Sequence, residues 1–293
     1  MKKYAIIGLK VLSFLALTGL IQILGNIAIL NPLVNVPEIG DHYGWIRITE
    51  TEFFALSLIF QILGALVLLQ AYRANTPDPT PFFSGSVKEK AYHTLWGAAG
   101  GAMLILAIAL ALYSAGLVGF SLSPFSVREI MATLFLMVFV ALGEEIIFRG
   151  FVLQEFLENL NREAAVVFSA LVFALIHAGT SNFSWLPFFN IFLAGLLLGL
   201  AYIRFNGIWV PVGLHFGWNF VQGPILGFQV SGNEFPTWLV PEFSTKPAYL
   251  TGIDYGLEGT LAAVLVHLVA IGWLYSEVKK QASDSTLVET AEG

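Results

Sequence analysis

Eight apolar runs, each close to the length a helix needs to cross a bilayer, constrain this chain more than any other feature. A spanning helix takes about 20 apolar residues, because some 30 Å of hydrocarbon is covered at about 1.5 Å per residue. The runs fall at roughly residues 8–30, 53–72, 94–119, 129–148, 164–181, 185–204, 208–227 and 257–276. Peptide groups find no partner in lipid, so such runs fold as helices. The predicted fold is all-α, a polytopic membrane bundle of about eight transmembrane helices. Only 12% of the 293 residues are charged, against about 25% in soluble domains. The net charge of −6 carries no basic block, so nothing points to nucleic acid as a partner. The chain has no cysteine, which removes disulfides, thiolate nucleophiles and Cys-based metal sites.

The N-terminal stretch MKKYAIIGLKVLSFLALTGLIQILG starts basic and continues apolar to Leu30 without a small-x-small cleavage site. It reads as a first membrane helix rather than a signal peptide. Lys and Arg set the orientation. With the N-terminus in the cytoplasm, 11 of the 14 basic residues fall inside, and only Arg47, Arg128 and Lys246 outside. Eight spans then put both termini in the cytoplasm. Trp96, Trp185, Trp209 and Trp273 lie near span ends, where an aromatic belt belongs. The chain divides into N-terminal membrane helices (1–120), a polar-bearing membrane core (121–228), a loop with the last helix (229–280) and a polar, disordered tail (281–293). Glycines at Gly97/Gly101, Gly195/Gly199 and Gly213/Gly217 repeat at i, i+4, a spacing that lets helix backbones approach in lipid.

Against this apolar background, the segment ALGEEIIFRG (141–150) places Glu144, Glu145 and Arg149 in or beside a span. A charge there costs at least ~2.5–3.5 kcal/mol on insertion scales and so needs a partner or a task. Glu145 and Arg149 are i, i+4 neighbours with the carboxylate first, the better pairing order. Glu144 lies about 100° round the helix and cannot share that partner equally. One carboxylate is thus expected to be structural and the other free. Two later runs add polar groups: His177 in VFALIHAG (172–179), one turn after Phe173, and His215 with Asn219 on one face in GLHFGWNF (213–220). Two carboxylates, two imidazoles and a carboxamide suit amide hydrolysis, which needs a base for water, a proton shuttle and donors for an oxyanion. The depths conflict: Glu144 falls near the cytoplasmic end of its run and His177 near the opposite end of its own. Asp254 and Glu258 flank the last run in a loop that reads as solvated, and His267 reads as a packing residue. Trp218 lies beside the HxxxN face and reads as pocket lining or core.

The ordered set EExxxR, FxxxH and HxxxN over residues 128–225 resembles the CPBP intramembrane endopeptidases. That family includes type II CAAX prenyl endopeptidases and bacteriocin-processing or immunity-associated proteins. The resemblance implies Glu144 as general base, His177 as its helper in holding the water, and His215 with Asn219 as the oxyanion hole. Glu145 and Arg149 support them, and Phe173 and Trp218 line the substrate pocket. It implies a peptide or membrane-protein substrate in the bilayer, a prenylated CaaX tail being one case, and the plasma membrane of a prokaryote as the location. The family's mechanism has been described both with and without metal. Lacking HExxH spacing, the residues favour no cofactor, with zinc on Glu144, His177 and His215 as the alternative. A proton-coupled transporter and a non-catalytic scaffold or immunity protein are the competing functions.

Overall fold

The computed structural model describes residues 2–36, 46–74, 81–124 and 126–292. Eight principal helices organise it: α1 (Lys2–Gly25), α2 (Glu50–Tyr72), α3 (Val87–Ser114), α4 (Val127–Glu145), α5 (Arg162–Ile176), α6 (Trp185–Phe205), α7 (Trp209–Phe220) and α8 (Leu261–Glu292). Among the described residues, seven helices are long and apolar enough to cross a membrane, and α7 is the principal helix outside that set. With a wide π turn (Val221–Ile225) continuing it, α7 still reaches the lower limit of about 17 residues for a span. The fold is a polytopic all-α membrane bundle. The backbone of α8 extends into the polar segment after Lys280.

Local sequence sets several of the starts. Thr49, Ser86 and Ser126 each cap a helix while a glutamate three residues on (Glu52, Glu89, Glu129) returns a bond to the capping residue's N–H. These capping boxes satisfy amide groups that a helix start would otherwise leave bare. Helix α6 ends at Asn206 in the left-handed region (φ 48°), and the chain turns straight back into α7.

Glycines make the closest packing. Gly97 and Gly101 of α3 face the backbone at Val210 and Leu214 of α7, while Gly213 and Gly217 of α7 face Thr94 and Ala98 of α3. A Cβ at any of the four would lie well inside contact distance of a carbonyl oxygen opposite. Two of the sequence repeats are therefore the two halves of one seam. Its register rises together on both helices, so α3 and α7 run parallel. Both end beneath a two-stranded antiparallel ribbon, β1 (Val118–Leu122) with β2 (Leu239–Phe243). Gly101→Ala is expected to cost about 1–3 kcal/mol, as overpacking does. Gly100→Ala meets only the tip of the Leu214 side chain, at 3.3 Å, and serves as its control. Thermal melts of the two variants in detergent compare them.

Helix α4 does not stop at Glu145. It continues through a π-type segment, Ile146–Leu153, and a last turn, Gln154–Leu157, into a candidate span of 31 residues (Val127–Leu157). The sequence reading ended this run at 148, two turns early. Glu144 is therefore near mid-helix, whereas α5 is short and His177 stands at its C-terminus. The conflict in depth disappears. At one end of the bundle Glu155 pairs with Lys10 and Glu158 with Arg73, each at 2.9 Å. At the other, Arg128 forks onto Glu52 at 2.9 and 2.8 Å.

Candidate active site

The two adjacent carboxylates diverge as the helical rotation requires. Glu145 is fully buried; its Oε1 accepts from Arg149 Nη1 at 2.8 Å and from His215 Nδ1 at 3.0 Å. Arg149 is equally buried, donates from Nη2 to the Gly195 carbonyl at 3.1 Å and lies over the Phe173 ring at 4.8 Å. Three contacts on three elements hold the guanidinium, so α4, α5 and α6 are pinned around it. A buried pair of this kind is tolerated when hydrogen bonds and packing surround it.

Glu144 has a different environment. Its side chain is 25% exposed and its Oε2, buried, has no hydrogen-bond partner among the described residues. That oxygen lies 3.9 Å from His177 Nε2 and 3.8 Å from His215 Nε2. Both imidazoles are tethered at the other nitrogen. His177 Nδ1 meets the Phe173 carbonyl at 2.8 Å, and a carbonyl can only accept, so Nδ1 carries the proton. The same logic applies to His215 Nδ1 at the Glu145 carboxylate. In each neutral ring Nε2 is then an acceptor directed at the region beside Glu144. Two acceptors and a carboxylate oxygen almost 4 Å apart do not satisfy one another, but a water bridges such spacings.

These groups line or border a cleft between α3, α5, α6, α7 and α8. Phe173, His177, His215, Trp218 and Asn219 all line it, and Asn219 sits one turn beyond His215 on the same face of α7. Trp218 is buried and stacks on His267 at 4.8 Å. His267 thus belongs to the cleft wall.

Two further polar residues of the wall were not legible in the sequence. Asn190 of α6 is fully buried, and its Nδ2 donates to the carbonyls of Glu258 at 2.8 Å and Thr260 at 3.0 Å. Glu258 itself is 9% exposed, in a 3-10 turn (Leu257–Gly259) ahead of α8. Expected in a solvated loop, it is instead drawn in: Ser231 donates to its Oε2 from the backbone N–H at 2.7 Å and from the hydroxyl at 3.2 Å. Burial pushes its carboxyl above the ordinary range, against the opposing pull of those bonds and of His177 and His215. Nearby Tyr255 shares a 2.7 Å bond with Thr180, and burial pushes its phenol up to about 12. No signal in single-chain spacing foretold Glu258, because a loop of some 35 residues carries it back over the cleft. Asp254 remains exposed.

A polytopic helix bundle with a carboxylate and two imidazoles converging on a buried cleft defines a membrane-embedded protein built for polar chemistry. Residues 126–221 match the family model described as Type II CAAX prenyl endopeptidase Rce1-like. The matched segment is about a third of the chain and includes every residue of the converging set from Glu144 to Asn219. None of the curated proteins compared with the chain matches it. The family match supports an intramembrane endopeptidase in general.

Proposed function

We propose that the chain hydrolyses a peptide bond of a membrane-associated protein or peptide with water activated by Glu144. The carrying observation is the unpartnered Glu144 Oε2, 3.9 and 3.8 Å from two imidazole Nε2 atoms whose opposite nitrogens are already engaged. A water held among them loses a proton to Glu144 as its oxygen attacks the scissile carbonyl carbon. His177 Nε2 accepts a hydrogen bond from the hydrogen the water keeps, which orients the lone pair. Asn219 Nδ2 donates to the oxyanion, and so does His215 once its Nε2 has taken up a proton from solvent in the cleft ahead of the attack. On collapse of the tetrahedral intermediate, the proton on Glu144 passes to the departing amine. Glu145 and Arg149 hold His215 in register, and Phe173 and Trp218 form apolar wall.

The substrate class proposed is a peptide chain reaching the cleft from the membrane, a prenylated CaaX tail being the form to test first. For placement, we propose the plasma membrane of a prokaryote with both termini cytoplasmic. The parallel run of α3 and α7 supports an even number of crossings, since it lets α7 complete a traverse between α6 and α8.

One observation favours a second mechanism. Imidazoles tethered at Nδ1 with Nε2 free are the arrangement metal ligands adopt, and Glu144, His177 and His215 would be the set that holds zinc, which would polarise the water. Against it, Oε2–Nε2 separations of 3.8 and 3.9 Å exceed the roughly 3.4 Å edges of a tetrahedral site with ~2.0–2.1 Å bonds. Among the described residues, no three His, Cys, Asp or Glu side chains are clustered closely enough for a metal. Cleavage of a fluorogenic farnesylated CaaX peptide by the purified chain, with and without chelator, tests the choice. The expected outcome is activity indifferent to chelator and reduced about 10²–10⁴-fold by His177→Ala, the usual range for one acid–base group. Chelator-abolished activity restored by zinc would replace the water-only mechanism.

A further inference from the structure

Besides its imidazoles and the Asn219 carboxamide, the cleft wall carries two oxygen acceptors that meet no donor among the described residues. One is Asn190 Oδ1: both Nδ2 hydrogens are committed to the Glu258 and Thr260 carbonyls, which fixes the amide orientation and leaves the oxygen buried and unpaired. The other is Glu258 Oε1. The bonds from Ser231 both reach Oε2, and Oε1 has no partner among the described residues. Glu258 is more than nine-tenths buried, and both residues line the cleft that also contains His177 and His215. No Lys or Arg lines it among the described residues. The Arg149 guanidinium, outside that lining, is engaged through Nη1 with Glu145 and through Nη2 with the Gly195 carbonyl.

A desolvated carboxylate with one bare oxygen is costly until a cation or strong donor joins it. The Asn190 carboxamide oxygen on the same cleft wall adds a second acceptor but no charge. We propose that Glu258 and Asn190 form a cation-recognition subsite, which receives a lysine or arginine side chain of the substrate next to the bond being cleaved. This rests on the endopeptidase reading and adds a substrate preference to it. The ammonium or guanidinium donates to Glu258 Oε1 and Asn190 Oδ1, while its alkyl stem lies along Leu198 and Leu214 of the same cleft. Ser231 acts as a positioning residue: its two donors hold Oε2, so that Oε1 is the oxygen presented. The φ of +48° at Ser231, unusual for a residue with a side chain, is part of how its N–H is aimed.

The test is a series of fluorogenic farnesylated CaaX peptides carrying Lys, Gln or Glu either just before the farnesylated cysteine or just after it. They are given to the full chain in detergent as wild type, Glu258→Gln and Glu258→Asp. At one position, wild type is expected to prefer Lys over Gln in kcat/KM. Glu258→Gln is expected to lower that ratio about tenfold or more, the worth of one charge-assisted hydrogen bond. Glu258→Asp, which keeps the charge, retains the direction of the preference. A ratio taken within one variant does not depend on how much of the variant is folded. In parallel, fluorescence anisotropy measures binding of the Lys and Gln peptides to the Glu144→Gln chain, with and without Glu258→Gln added. Cleavage without any Lys preference, or with one that Glu258→Gln leaves intact, overturns the subsite and spares the endopeptidase. No cleavage by wild type, with Lys-selective binding that needs Glu258, counts against the endopeptidase and upholds the subsite. Neither cleavage nor binding of any peptide overturns the subsite as well.

Discussion

Glu144→Gln is expected to remove about 10²–10⁴-fold of kcat, the contribution of a positioned general base, while leaving the melting temperature of the protein in detergent unchanged. The two halves of that expectation have separate origins. The Glu144 side chain is partly exposed and its Oε2 makes no hydrogen bond, so the amide forfeits no native hydrogen bond there. It does forfeit a base: a carboxamide cannot take a proton from water near neutral pH. Glu145→Gln should behave differently although it alters the next residue. There the lost charge faces Arg149 and His215 at 2.8 and 3.0 Å in a fully buried setting, so both activity and stability should fall. Paired turnover and melting curves for the two variants make the comparison. A large fall in the melting temperature for Glu144→Gln, or full activity, would count against the assigned role.

The second large effect is on folding. Arg149→Ala should cost about 3–5 kcal/mol, the usual penalty for removing one partner of a buried ion pair. Glu145 would be left charged with only His215 beside it, the Gly195 carbonyl would lose its donor, and the Phe173 face would be bare. Arg149→Lys should recover part of this, because an ammonium can replace the charge but not the planar fork spanning Glu145 and Gly195. Lys10→Ala is the contrast. Its pair with Glu155 is similarly short, 2.9 Å, but the lysine side chain is 45% exposed over a glutamate only 6% exposed. Its cost should therefore fall between the about 0–1 kcal/mol of an exposed pair and that of the buried one. Chemical or thermal denaturation of the three variants in one detergent would rank them.

The sequence disclosed the bundle because long apolar runs in lipid have few alternatives to helix. It disclosed the pairing of Glu145 with Arg149 and the separate direction of Glu144 because both follow from helical rotation over one turn. His177 and His215 were legible as polar groups in apolar helices, and their meeting beside Glu144 is a tertiary fact that the structure supplies. What stayed hidden shares a cause. The run of α4 past residue 148 crosses an arginine and enters a π-type segment, neither of which a hydropathy window follows. Glu258 and Asn190 depend on a loop folding back over the cleft, and nothing in the spacing of residues between 226 and 260 encodes that return. The glycine repeats were readable as close-packing surfaces, but their partnership across α3 and α7 needed the register of both helices.

That seam has a mechanical corollary. His215 and Asn219 project from a helix whose other face is locked, carbonyl against α-carbon, onto α3. With no side chains between the two backbones, the contact leaves little slack for either helix to shift alone. The strip bearing His215 and Asn219, the proposed oxyanion donors, is therefore an anvil rather than a gate. Whatever parts to admit a peptide must do so around it, at the shorter α5 with His177 on its end or at the loop that brings Glu258 in. Substrate entry is thereby expected at α5 or at that loop, and not along the seam of α3 and α7.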